Sequence, residues 1–328
     1  MKLNVGVIGT GYWGSKHVAE YKDIDLYADG VDEINVITCD MESDDANYRR
    51  YTDMINNERL DCVSICTPNN THYPIALYCV DKRINTIVEK PMALNYNHAI
   101  RLVNEAKSGG VVLCVGHEFR FNNALLKAKR MIHGGEFGTV KMIDLKWLDY
   151  VPHENLKETD ILFDLAPHTF DICSMLQGQQ TQIERMSCNS MAIMRDTLED
   201  YANITCMYNN GILVNTEIGW LLPPKTRALK ILGDKLIAVI DVLKQSIDIY
   251  PVTGNTEITS SQKVDIIASN TIGDELEHFL KLVLINKEGG NFDDKNYIIS
   301  GGVGSDSIKF IEFARSIMNT GDFIYDRN

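Results

Sequence analysis

Val5-Gly6-Val7-Ile8-Gly9-Thr10-Gly11-Tyr12-Trp13-Gly14 runs from an apolar strand pattern straight into a G-x-G-x-x-G loop. Beyond Gly14, Val18 and Tyr21 continue an amphipathic helix, so the loop sits between strand and helix, where such glycines have a mechanical use. Gly9 permits the tight turn, Gly11 lets a pyrophosphate approach the backbone, and Gly14 lets helix and strand pack closely. The helix N-terminus then offers unpaired N–H groups to an anion. Thr10, Tyr12 and Trp13 fill the intervening positions of this candidate dinucleotide loop. An ordinary strand-to-helix turn is the competing reading, and the residues that follow argue against it.

Working outward, the pattern predicts strands over 4–8, 35–39, 62–66, 86–88 and 111–115, separated by helical spacings such as Ala99, Leu102, Val103 and Ala106. Alternating strand and helix implies parallel strands with right-handed crossovers, covered on both faces. The first 120 residues therefore read as an α/β doubly wound nucleotide-binding domain. From 121 to 328 the pattern changes to long alternating runs over 138–150 and 182–252, punctuated by Asn209-Asn210-Gly211 and Pro223-Pro224. Consecutive strands joined by tight turns predict a large, mostly antiparallel sheet. Leu276, Phe279, Leu280, Val283 and Leu284 recur at helical spacing, as do residues over 304–319, so this second domain reads as α+β.

Bulk properties agree. The chain has 328 residues, 45% hydrophobic and 23% charged, enough for about two domains with their own cores. Thirty-two basic against 45 acidic side chains leave a net charge of −13, which repels nucleic-acid phosphates. No apolar run reaches the roughly 18 residues of a membrane span, and Met1-Lys2-Leu3-Asn4 opens no signal peptide, so a cytoplasmic protein is expected. The 8 cysteines form no C-x-x-C pair and lie in apolar runs, so they are expected to be reduced core residues. His117 and His153 have no metal-ligand spacing with Cys, Asp or Glu, and no metal is expected.

Asp40 follows the second predicted strand, where a carboxylate would hold the adenosine ribose diol; Asp32 and Glu33 are weaker rivals. A negative charge there favours NAD over NADP, although Arg49 and Arg50 lie close in sequence. Two further loops follow core strands: Cys66-Thr67-Pro68-Asn69-Asn70-Thr71-His72 and Glu89-Lys90-Pro91-Met92-Ala93. Thr67, Pro68, Asn69 and His72 are candidates for the nicotinamide ribose, with a helix start capped by Asn69 or Asn70 as the competing reading. Pro91 shapes a turn whose peptide isomer the sequence leaves open.

Together with Gly116-His117 and Asp164-Leu165-Ala166-Pro167-His168, these loops resemble the glucose-fructose oxidoreductase and inositol dehydrogenase (Gfo/Idh/MocA) family over essentially the whole chain. The resemblance implies a Rossmann domain followed by an open, mostly antiparallel sheet often used in oligomer contacts, hence a homodimer or homotetramer. It also implies NAD(P)-dependent redox chemistry at a carbohydrate carbon, with Glu89 and Lys90 beside the cofactor and Lys90, Asp164 and His168 as the catalytic set. Arg120-Phe121-Asn122, Glu199 to Asn203 and Gly219 to Lys225 look most like nucleotide-sugar oxidoreductases, and C3 of UDP-N-acetylglucosamine is the substrate they suggest. Pro167 departs from the family pattern, so the helix bearing His168 is expected to start near Asp164 or to kink there.

The chemistry needs a base and a cation at the reacting hydroxyl. His168 suits the base, with Asp164 orienting it, while Lys90 stabilises the alkoxide; equally, a desolvated Lys90 would serve as the proton acceptor. Asp164 as a helix cap and His168 as a core histidine form the structural alternative. Arg120, Asn122, Lys225 and Arg227 are candidates for a substrate pyrophosphate, whereas Tyr201 and Trp220 read as sheet or interface residues. Rival functions are a dehydrogenase of a free polyol or sugar such as myo-inositol or glucose, an enzyme that recycles bound NAD during elimination, and a non-catalytic NAD-binding regulator.

Overall fold

A computed structural model describes residues 1–151, 160–178, 181–252, 261–290 and 298–320, with the backbone of 323–324. His153 lies outside them. In chain order the elements are β1 (Lys2–Ile8), α1 (Tyr12–Asp23), β2 (Glu33–Cys39), α2 (Tyr51–Asn57), β3 (Cys62–Ile65), α3 (Asn69–Asp81), β4 (Asn85–Glu89), α4 (Tyr96–Gly109) and β5 (Leu113–Gly116). There follow α5 (Asn123–His133), β6 (Val140–Tyr150), α6 (Ile161–Gln177), β7 (Ile183–Met191), β8 (Tyr201–Tyr208), β9 (Leu213–Gly219) and β10 (Leu221–Gly233). The chain ends with β11 (Leu236–Asp241), β12 (Ser246–Pro251), β13 (Gln262–Val264), α7 (Thr271–Lys287), α8 (Gly301–Ser316) and β14 (Phe323–Ile324).

Two compact units result. The first comprises Met1–Glu118 with Asn270–Lys309, the second Phe119–Ser269 with Phe310–Asn328. This differs from a division into 1–120 and 121–328, because residues 270–309 fold with the first unit. The reason is α7: Leu276, Phe279, Leu280 and Val283 are fully buried, and the helix packs along α1. An apolar stripe read from sequence does not say which layer it covers.

The first unit holds an all-parallel sheet in the order β2-β1-β3-β4-β5. Every residue of β3 and β4 is buried, as central parallel strands covered on both faces require. The strand order reverses beside β1, and such a switch point is where ligands bind in open α/β sheets. The glycine loop leaves β1 there and the Thr67 loop leaves β3. The competing reading of this loop holds only in part: α3 starts at Asn69, but its N-cap is Pro68, with no side-chain cap from Asn69 or Asn70.

The second unit holds a sheet in the order β13-β12-β11-β10-β6-β9-β8-β7-β14, antiparallel except for the β6–β9 pair. Strict alternation puts Ile143, Leu145 and Trp147 of β6 on the buried face, with Ala202, Ile204 and Cys206 of β8 and Val214 and Ile218 of β9. Helix α6 packs over β6, β8 and β9, with α5 beside it. Pro223-Pro224, read as punctuation, instead sits inside β10, where the pairing with β6 slips between Leu221 and Thr226; both strands continue past this bulge. No disulfide joins any of the eight cysteines, all buried except the half-buried Cys66.

Candidate active site

In the first unit, all five strands deliver a motif residue at their carboxyl ends. Gly9 has φ of +85°, which a side chain would strain, and a Cβ at Gly14 would collide with the Gly9 carbonyl. A Cβ at Gly11 would meet nothing within 4 Å, so the loop is open there. Gly11 is also the N-cap of α1 and supplies no side-chain cap, leaving the first N–H groups for another acceptor. These features fit a pyrophosphate. Lys16, which the motif does not include, lies over the rings of Tyr12 and Trp13 at 4.2 and 4.6 Å and adds positive charge to this helix start.

Asp40 fastens the loop. Its Oδ2 accepts from Thr10 N at 2.7 Å and Thr10 Oγ1 at 3.0 Å, and its Oδ1 accepts from Glu42 N at 2.9 Å and Ser43 N at 3.2 Å. Partial burial raises the Asp40 pKa, but these bonds outweigh it and hold the carboxyl below its usual value. A ribose diol would share the carboxylate with the rotatable Thr10 hydroxyl. The rivals are occupied elsewhere: Asp32 pairs with the N-terminal amine at 2.8 Å and Glu33 with Lys2 at 2.8 Å. Arg49 ties Met41 O at 2.9 Å and pairs with Asp44, in the loop just beyond Asp40.

His72 joins the two later loops. Its Nδ1 lies 2.9 Å from Pro91 O and its Nε2 2.7 Å from Thr67 O, with the ring almost fully buried. Thr71 Oγ1 lies 2.6 Å from Pro68 O and 2.7 Å from Thr67 Oγ1, and Asn69 is half-buried beside the exposed Pro68. The Lys90–Pro91 peptide is cis, and Glu89 and Lys90 are both buried, each 8% exposed. Neither side chain lies on the surface at this strand end. Glu89 Oε1 instead lies 3.1 Å from His17 Nε2 of α1.

In the second unit, Asp160 rather than Asp164 caps α6, accepting from Phe163 N at 3.1 Å. Pro167 lies inside this helix, which starts at Ile161, so Asp164 falls in its first turn. Asp164 and His168 are one turn apart on one face, 3% and 7% exposed. The imidazole is set among aromatics: Trp147 stacks on it at 5.7 Å and Phe119 meets it edge-on at 5.2 Å. Sequence reasoning passed over both residues, although Trp147 occupies an inward position of the β6 alternation.

The four substrate candidates have structural duties. Arg120 donates from Nε to Asp171 at 2.7 Å, a buried pair. Asn122 caps α5, accepting from Ala124 N and Leu125 N, and donates to Val242 O at 3.0 Å, with 1% exposure. Its amide is used by the fold, which the substrate expectation did not foresee. Arg227 donates to Leu148 O at 2.6 Å and Asp149 Oδ2 at 3.1 Å and covers Trp147 at 4.9 Å. Lys225, more exposed, pairs with Asp149 at 3.4 Å. Tyr201 is half-buried with its hydroxyl on Glu217, and Trp220 is buried under Arg195.

A glycine loop at a switch point, a carboxylate after β2 and an E-K-P turn after β4 define a dinucleotide-binding oxidoreductase. Residues 3–117 match the oxidoreductase family with an NAD-binding Rossmann fold, and residues 125–239 match the GFO/IDH/MocA C-terminal domain. The chain belongs to the Gfo/Idh/MocA family of oxidoreductases. It is 25% identical over 291 residues to UDP-N-acetylglucosamine 3-dehydrogenase of Acidithiobacillus ferrooxidans, covering 87% of this chain and 90% of the relative. Myo-inositol 2-dehydrogenase of Thermotoga maritima is 25% identical over 194 residues, 55% of this chain and 56% of that one. Among solved structures, an inositol dehydrogenase homologue from Azotobacter vinelandii, complexed with NADH and myo-inositol, superposes with a TM-score of 0.84 at 14% identity over 99% and 98% of the chains.

Proposed function

We propose that this chain is an NAD-dependent dehydrogenase that oxidises a secondary hydroxyl of a sugar nucleotide, with C3 of UDP-N-acetylglucosamine as the preferred substrate. The observation that carries the reading is the buried E-K-P turn, tied by His72 to the Thr67 loop at the carboxyl edge of a dinucleotide-binding sheet. The likeness to the Acidithiobacillus ferrooxidans enzyme over most of both chains supports the substrate class. NAD is favoured over NADP because the Asp40 carboxylate, kept ionised by four hydrogen bonds, repels a 2′-phosphate.

Bound NAD supplies the hydride acceptor. Gly9, Thr10, Gly11, Tyr12, Trp13 and Gly14 receive its pyrophosphate, Asp40 its adenosine ribose, and Thr67, Pro68, Asn69, His72 and Glu89 the nicotinamide side. Lys90 hydrogen-bonds the substrate oxygen and stabilises the charge that develops there. His168, oriented by Asp164, Trp147 and Phe119, takes the hydroxyl proton, a role worth a factor of about 10² to 10⁴. Self-association through the outer face of the second unit's sheet belongs to the same proposal.

A second reading has an observation in its favour. Arg120, Asn122 and Arg227 are committed to intrachain partners, which leaves Lys225 as the most exposed of the proposed pyrophosphate contacts and suits a free polyol better. The assay follows absorbance at the NADH band with NAD and a panel of UDP-sugars and polyols. UDP-N-acetylglucosamine should generate NADH, UDP should inhibit, and Lys90→Ala and His168→Ala should each lose at least a hundredfold. Turnover of inositol that is insensitive to UDP replaces the first reading with the second; undiminished turnover in both variants removes the mechanism.

A further inference from the structure

Behind the E-K-P turn, the first unit buries a cluster of ionisable groups around Glu89, and the proposed reaction gives the others in it, His17, Glu275 and Glu118, no direct role. His17 is 2% exposed, Glu89 8%, Glu275 1% and Glu118 8%. His17 Nε2 lies 3.1 Å from Glu89 Oε1, while His17 Nδ1 makes no hydrogen bond among the described residues. Beyond an edge-on contact with Tyr21 at 6.4 Å, the imidazole's polar commitment is to Glu89. On the other side, the β5 backbone closes on the carboxylate: a Cβ at Gly116 would come 3.0 Å from Glu89 Oε2. A carboxylate sealed in this way keeps its charge only if partners offset the lost hydration.

We propose that His17 is a positioning residue: its contact with Glu89 holds that carboxylate as the fixed counter-charge behind Lys90. The inference rests on the reading of Lys90 as the cation of the reaction. Groups from several neighbouring elements face Glu89. They are His17 of α1, Cys66 after β3, His72 of α3, Lys90 in the turn itself, and Glu275 of α7, which in turn faces Glu118 and Tyr21. Burial alone would raise the Glu89 pKa; the hydrogen bond from His17 and the charges of His17, Lys90 and His72 more than reverse that, so it stays below the ordinary value. Glu275 goes the other way. Burial and its carboxylate neighbours raise it well above its usual range, so it holds its proton and does not compete for the cation.

Removing the His17 donor takes away the largest influence opposing burial. Glu89 then keeps its proton to higher pH, and Lys90, without its adjacent negative charge, loses its own proton more easily. In His17→Leu the acid limb of kcat should move to higher pH by about one unit, which on that limb is about a tenfold loss at fixed pH. His17→Gln, whose amide replaces Nε2, should restore the limb. A readout independent of turnover is acetylation of Lys90 by acetic anhydride in the full-length protein, quantified by peptide mass spectrometry against pH. The reactive form should appear at lower pH in His17→Leu, return to the wild-type position in His17→Gln, and shift again in Glu89→Gln, which removes the charge while keeping the shape. Identical labelling profiles in wild type and Glu89→Gln overturn the proposal even where His17→Leu fails to fold. A labelling shift in a protein that oxidises no sugar or polyol leaves the positioning role standing and removes the catalytic reading.

Discussion

Asp40 shows how much a single side chain can fasten. Four hydrogen bonds end on its carboxylate, two of them from Thr10. Asp40→Ala should therefore destabilise the protein by about 1.5 to 3 kcal/mol, as bonds to charged groups do, which urea denaturation would measure. It should also weaken NAD binding more than tenfold in titration, while narrowing the preference over NADP. Asp40 was legible in the sequence because it follows a strand at a fixed place in a motif. Trp147, Phe119 and His17 were not, because each matters through what it touches: a stacked imidazole or a buried carboxylate several elements away. Trp147→Leu should cost about 2 to 4 kcal/mol, from lost aromatic volume and packing. It should also lower kcat more than it changes KM, since His168 keeps its chemistry but loses its orientation.

At the scale of the element, α7 carries Glu275 into the buried cluster that holds Glu118 and Glu89. Its carboxyl has a raised pKa in the folded chain and an ordinary one when unfolded, so between those two values the folded state binds more protons and stability falls as pH rises. The amide of Glu275→Gln reproduces the neutral acid and has nothing to ionise. That variant should match the wild type in Tm near pH 4.5 and exceed it at pH 8, a difference a thermal melt series resolves; a wild-type advantage at pH 8 would show that Glu275 works ionised. His72 slopes the opposite way. Burial, its largest influence, lowers its pKa despite the two carbonyl contacts, so its contribution is present above pH 6.5 and declines as pH falls through the lower folded value. The helices and strands themselves were readable from periodicity. What periodicity missed was local: the slip within β10 at Pro223-Pro224 looks in sequence like a break, since proline cannot donate to a ladder and a bulge is visible only against its partner strand.

For the whole molecule, the sequence conveyed both sheets and their order along the chain but not the return of residues 270–309 to the first unit. Helical spacing identifies an apolar stripe; the layer it covers is chosen by the fit of side chains across space. A fragment ending at residue 120 should thus be poorly soluble, with the surface that buries Leu276, Phe279 and Leu280 left open, and joining 270–309 to it should restore a cooperative melt. The proposed self-association has a test on the second unit. Met191, Ile193, Leu221 and Leu222 line a cavity of about 320 Å³ with Tyr201 and Glu217. Introducing Met191→Asp with Leu222→Asp should shift the mass by light scattering to that of a 37.0 kDa chain, and a mass unchanged from wild type would move the interface elsewhere.

The split first unit also sets a timetable for synthesis. A ribosome releases the whole nine-stranded sheet of the second unit, apart from β14, before α7 is translated, so the nucleotide-binding half waits, with one flank uncovered, through the making of about 150 intervening residues. Nascent chains stalled before residue 270 should for that reason recruit chaperones to the bare side of α1, and should release them once α7 has emerged from the exit tunnel.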